Sequence, residues 1–149
     1  MVALVFEGEG FNHVFAILDK VENPDWSDLL TQIGSQIQDQ TTRHFVEERG
    51  PEGPWTPLAP STVKAKGHAT ILTGKTGILK GSIQTDPRGA YAIAIGTSTT
   101  YGKYHQRGVS NSDGSVRTPQ RMFLGMHDAD AGEIETVLQN YINSYLGRD

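Results

Sequence analysis

Apolar positions recur at helical spacing over the first third of the chain, alternate in the middle, and return to helical spacing at the end. Val2, Leu4 and Phe6 alternate with Ala3 and Val5 and predict a short first strand ended by Glu7-Gly8-Glu9-Gly10, a stretch equally compatible with a flexible end. Phe11, Val14, Phe15, Leu18 and Val21 form the stripe of a short amphipathic helix closed by Asn23-Pro24. Asn23 then caps a second helix, Pro24 takes its first position, and Asp25 and Asp28 suit the positive end of its dipole. Trp26, Leu29, Leu30, Ile33, Ile37 and Phe45 keep one face of this long helix apolar, and Gly50-Pro51 stops it. Gly34 is a soft spot, and the stripe thins around Gln40-Thr41-Thr42. The second half is therefore expected to pack along one edge only or to contact another subunit.

Four prolines and two glycines surround Trp55 in residues 50–60, where Trp55 and Leu58 anchor an ordered loop. Ser61 is expected to cap a short helix over Thr62 to Lys66, ended by Gly67. From Ile71 the pattern turns to β. Asp86-Pro87-Arg88-Gly89 has turn chemistry with proline second, and Tyr91, Ile93 and Ile95 alternate with Ala92, Ala94 and Gly96, so an antiparallel hairpin with alanines on one face is predicted. Tyr101 to Arg107 reads as a turn or short helix ending at Gly108, and 109–118 as a long exposed loop or hairpin tip. Met122, Phe123 and Leu124 return to the core. The last helix carries the stripe Ile134, Val137, Leu138, Tyr141, Ile142 and Tyr145, with Asp130 and Glu133 as its capping box and Gly147 as its end. The fold class is α+β: N-terminal helices, one of them long, a small antiparallel sheet with a hairpin, and a closing helix.

At 149 residues the chain has the length of one domain with one core. A hydrophobic fraction of 36% and 17 glycines describe a turn-rich globular protein, and no apolar run is long enough to span a membrane. The start lacks a basic region ahead of its apolar residues, so no signal peptide is expected. Zero cysteines exclude disulfides, thiol catalysis and cysteine-bound metals, and fit a cytoplasmic site of synthesis. The net charge of -4 conceals a segregation: residues 1–52 hold ten acids against three bases, residues 53–127 nine bases against two acids, and residues 128–149 five acids against one base. A basic block between two acidic ones suits complementary faces of neighbouring copies, or a basic surface turned to a polyanion; solvated acids on helices are the plainer account.

No catalytic constellation emerges. Gly74-Lys75-Thr76 ends like a phosphate loop but lacks the glycine five positions earlier, where Ala69 stands. Ser61 and Ser82 coexist with His68 and His105, yet no nucleophile elbow surrounds either serine. His127, Asp128 and Asp130 have ligand chemistry for a metal, but their place at the start of the last helix favours capping. His105 is expected to be a buried, hydrogen-bonding histidine in preference to a general base. No cofactor is expected.

Four ordered segments carry a resemblance. They are FVEERGPEGPWTPLAPSTVKAKG (45–67), LTGKTGILKGSI (72–83), IGTSTTYGKYHQRG (95–108) and PQRMFLGMHDAD (119–130). Together they resemble the phage virion morphogenesis family, whose members include the G protein of Mu-like phages and the tail completion protein S of P2-like phages. They are also similar to the wider group of HK97-type tail completion proteins. The positions that carry it are Trp55, Leu58, Thr76, Gly77, Leu79, Ser82, Tyr101, His105, Gln106, Gly108, Pro119, Arg121, Phe123 and Leu124. The chain departs from the family pattern at Arg43-His44, where arginine would adjoin Phe45, and at Gly102, where alanine would stand.

The resemblance implies a non-enzymatic virion protein at the head-proximal end of a tail, assembled in the host cytoplasm. It would complete the tail or join it to the head as a hexameric ring. Its partners would be further copies of itself, the tail tube and sheath or neck and connector proteins, and, transiently, genomic DNA in the channel. No membrane partner is expected. Lys103, Arg107, Arg117 and Arg121 are the basic residues that would face a neighbouring subunit or DNA, with Arg121 leaning to a structural role because it adjoins Met122 and Phe123. The competing readings are a nucleic-acid binding module acting through the basic middle block and, more remotely, a small hydrolase using His105, His127 or Asp128.

Overall fold

A computed structural model describes residues 2–5, 26–74, 76–89 and 92–146. The expected helix over 11–21, the Asn23 cap with Pro24, the residues from Phe6 to Gly10, and Tyr91 and Gly147 lie outside them. The elements run β1 (Val2–Val5), α1 (Trp26–Glu47), β2 (Arg49–Gly50), β3 (Gly53–Pro54), α2 (Pro60–Lys66), α3 (Ile78–Gly81), β4 (Ile83–Pro87), β5 (Ile93–Thr97), α4 (Gly102–Arg107), β6 (Val109–Ser110), β7 (Val116–Thr118) and α5 (Asp128–Leu146). The α+β class holds, with a long first helix and a closing one.

The main sheet is antiparallel in the order β1-β5-β4, with Leu4 and Thr85 both opposite Ile95. Every residue of the central strand β5 is buried. The helix α1 lies across β4 and β5, and Gly34 is its point of contact: a Cβ there would stand 2.4 Å from Ile93 Cδ1 and 3.3 Å from Thr85 Cγ2. The residue that weakens the helix by propensity thus lets it sit down on the sheet. The core joins Leu29, Ile33, Ile37 and Phe45 of α1 to Ile134, Leu138 and Tyr141 of α5 and to Ile83 and Ile95 of the sheet, with Trp55, Leu79, Phe123 and Leu124 from the connections.

Several local expectations change. Where the α1 stripe thins, Gln40 and Thr41 are buried; Gln40 Nε2 donates across to Asp130 O of α5 at 2.8 Å, and Thr41 Oγ1 donates within α1 to Ile37 O at 2.9 Å. A polar patch on the closing helix makes a polar stretch of α1 suitable for burial. The capping box of α5 sits one turn earlier than expected. His127 is the cap, its Nδ1 accepting the Ala129 N–H at 3.2 Å, and Asp130 reaches back to the His127 N–H at 2.9 Å. Glu133 is released from capping and faces α1. In α2, Ser61 is inside the helix: Pro60 occupies the first position and Ala59 caps without a side-chain bond. Residues 71–74 and 76–82 hold no strand and include the single-turn α3, so the β structure of this region begins at Ile83 and not at Ile71. Pro87 ends β4 instead of entering the turn, which closes through Arg88 N–H to Ala92 O at 2.8 Å. The 109–118 segment takes the hairpin form, β6 pairing with β7 around a tip in which Asp113 accepts from Ser115.

Candidate functional site

The family-like segments, far apart in sequence, surround one cleft of about 770 Å³. One wall is residues 56–59 with Thr62 and Lys66 of α2. The floor is Leu72, Gly74, Thr76, Ile78 and Leu79, and the far wall is Tyr101 at the start of α4, His105 within it, the β7 strand end and Arg121. Leu72, in the floor, holds the left-handed backbone region at φ 53, an uncommon conformation for a non-glycine residue.

Three side chains hold this enclosure together by bonding backbone. Trp55 packs edge-on against Phe45 at 5.6 Å and donates from Nε1 to Met122 O at 2.8 Å. Gly50 lies under the same carbonyl, where a Cβ would fall 1.9 Å from Met122 O. Gln106 acts as a one-residue strand partner: its Oε1 accepts the N–H groups of Phe123 and Leu124, each at 3.1 Å, and its Nε2 donates to Leu124 O at 2.7 Å. Arg121 is only 6% exposed, and donates from Nε to Thr56 O at 2.8 Å and through its second terminal nitrogen to Pro57 O at 3.2 Å. Its backbone N–H reaches His105 O at 2.8 Å.

Of the four basic candidates, Arg121 is therefore part of the framework, whereas Lys103, Arg107 and Arg117 are exposed. Lys103 Nζ stands 5.1 Å from the Tyr104 ring centre, and Arg117 lines the cleft. Thr76 is exposed at the cleft edge, Gly77 turns the chain into α3, and Leu79 is buried. Ser82 closes α3 by donating to Leu79 O at 2.8 Å and pairs with Thr97 Oγ1 on β5. Gly102 answers for the departure from alanine: a Cβ would meet Thr97 Cγ2 at 2.7 Å, so α4 rests directly on the end of β5. At Gly108, with φ 72, a side chain would crowd the 118–120 backbone. Pro119 lines the cleft, and Phe123 and Leu124 are core.

His105 differs from expectation. It is half-buried, stacks edge-on to Tyr101 at 6.3 Å, and its buried Nδ1 has no hydrogen-bond partner among the described residues. Burial, then Arg121 and Lys66, push its pKa below the usual histidine value. Burial likewise lowers the pKa of Lys66 and of Arg121, with Glu48 opposing at Lys66 and Arg121 adding to it. No carboxylate lines the cleft among the described residues. Sequence reasoning missed Glu48, whose Oε1 accepts the Ile71 N–H at 2.7 Å and fixes the entry to the floor; a lone glutamate after a helix carries no distinguishing pattern.

His127 and Asp130 are engaged in the α5 cap, and no group of three or more potential metal ligands occurs among the described residues. No described helix is long and apolar enough to cross a membrane. Comparison with curated proteins and with solved structures finds no match. The model of the phage virion morphogenesis family matches residues 8–143, a span that includes all four signature segments and every wall of the cleft, and the chain belongs to that family.

Proposed function

We propose that the protein is a structural virion component at the head-proximal end of a phage tail, completing the tail or joining it to the head as a hexameric ring, without catalysis. Family membership supports a morphogenetic role. The observation that carries the reading is the use of the signature side chains. Trp55, Gln106 and Arg121 are committed to bonding backbone carbonyls and amides, which supports a framework role for these motif side chains. The partners are further copies of the chain and the tail tube and sheath or neck and connector proteins.

Lys103, Arg107 and Arg117 are exposed on α4 and β7 and support a contact outside the subunit, either with the next copy or with DNA passing through the channel. A nucleic-acid binding module is the second reading, favoured by these three exposed cations; it predicts duplex affinity that falls steeply with salt. The deciding experiment inactivates the gene in its phage or prophage and images the lysate by negative-stain electron microscopy. Filled heads beside unfinished, overlong or unjoined tails are expected. Normal joined particles would remove the tail-completion reading.

A further inference from the structure

We propose that the cleft between α2, α3, α4 and β7 is a receptor for a carboxylate-bearing, partly apolar surface of a second copy of this chain, with the carboxylate meeting Arg121, Lys66 and His105. The proposal rests on the ring reading only in that copies of the chain meet one another.

A buried charge is costly unless it is neutralised or well hydrogen-bonded. Arg121 is almost fully buried, yet its side chain bonds two neutral carbonyls, and no acid among the described residues forms an ion pair with it. Among the described residues Lys66 donates only to Thr70 O, with the Glu48 charge acting on it from outside the cleft lining, and the Nδ1 of His105 is buried without a partner. Three nitrogen-bearing side chains thus share one enclosure that no acid among the described residues lines; burial first, and then the neighbouring cations, depress the pKa of His105, and burial lowers that of Lys66 against the opposing charge of Glu48. Such a site is complementary to an anion.

Apolar surface borders the same cleft. Of the five large hydrophobic residues exposed among the described residues, Ile78, Tyr101, Tyr104 and Val116 lie on or beside α3, α4 and β7. A duplex backbone is met by rows of exposed cations. Here Arg121 is set back beside Pro57 and Leu58, which suits a side-chain carboxylate carried by an apolar neighbour. The chain itself carries the matching charge. Residues 1–52 and 128–149 are acidic while the cleft belongs to the basic block, and Asp39, Glu52, Asp128 and Glu135 are exposed. Contact between the basic cleft of one copy and an exposed acid of the next joins two different patches, the geometry that propagates into a ring.

The test is sedimentation velocity of the full chain across a protein concentration series at low and high ionic strength. Concentration-dependent association that weakens with salt is expected. Thr76→Trp, which plugs the cleft without changing charge, and Arg117→Glu should each weaken it about tenfold or more, while Lys64→Glu, outside the cleft, should leave it unchanged. Circular dichroism confirms that each variant is folded. A chain that stays monomeric throughout, or association indifferent to both cleft variants, overturns the proposal. So does duplex DNA binding that both variants abolish while self-association persists, which would assign the cleft to nucleic acid. A monomeric chain together with unjoined tails in the gene-inactivated lysate would sink the cleft proposal and leave the tail-completion reading standing.

Discussion

Gln106 holds the 123–124 backbone as a strand would, with one side chain accepting two amides and donating to one carbonyl. Gln106→Ala leaves those amides without an acceptor in a part-buried place, and should cost about 2–3 kcal/mol in urea unfolding. Gln106→Glu keeps the acceptor, loses the donor, and should fall between the two. At this scale the sequence was legible where a residue type has one sensible use: Trp55 in a proline-rich loop is an anchor, and it is one. It was ambiguous where two registers satisfy one rule. His127-Asp130 and Asp130-Glu133 have the same spacing, and the histidine cap wins because Glu133 is drawn to α1. Ser61 lost its capping place to Pro60, whose fixed φ favours the first helical position.

Between the elements, Glu133 is the polar joint of α1 and α5, accepting from Gln36, Gln40 and both terminal nitrogens of Arg43. Arg43 chiefly, then Gln40, holds the Glu133 carboxyl down from 4.5 to about 2. A carboxyl depressed on folding stabilises above its unfolded pKa and ceases to do so as pH falls through the folded one. The stability contributed by Glu133 should therefore be complete above pH 4.5 and disappear toward pH 2. Its side chain keeps 39% of its exposure, so solvent screening limits the contribution to about 1 kcal/mol. Glu133→Gln should be less stable at neutral pH and lose stability less steeply in acid, as read by thermal unfolding across that range. The helical stripes of α1 and α5 were readable because apolar spacing reports burial directly. The burial of Gln40 and His44 was not, because a polar residue is buried only where it meets its partner, and their partners, Asp130 and Phe123, lie 90 and 79 residues away in an order no periodicity encodes.

Across the whole molecule, charge and framework separate. Lys103, Arg107 and Arg117 contribute no described ion pair to the fold, so reversing all three should leave unfolding unchanged while impairing particle assembly; an unchanged phage titre would count against both the subunit and the DNA roles. The family was legible in four ordered motifs, and the α+β class in the change of apolar period. The cleft was not, because its walls come from segments that only the folded backbone brings together. The ties between Arg121 and the 56–57 carbonyls and between Trp55 and Met122 have a genetic consequence. A crossover between diverged relatives anywhere from codon 58 to codon 120 would inherit one half of each tie from each parent. Because each tie takes its side chain from one segment and a backbone carbonyl from the other, such a recombinant keeps both ties wherever the parents share Trp55 and Arg121, and viable breakpoints should fall inside that interval as well as outside it.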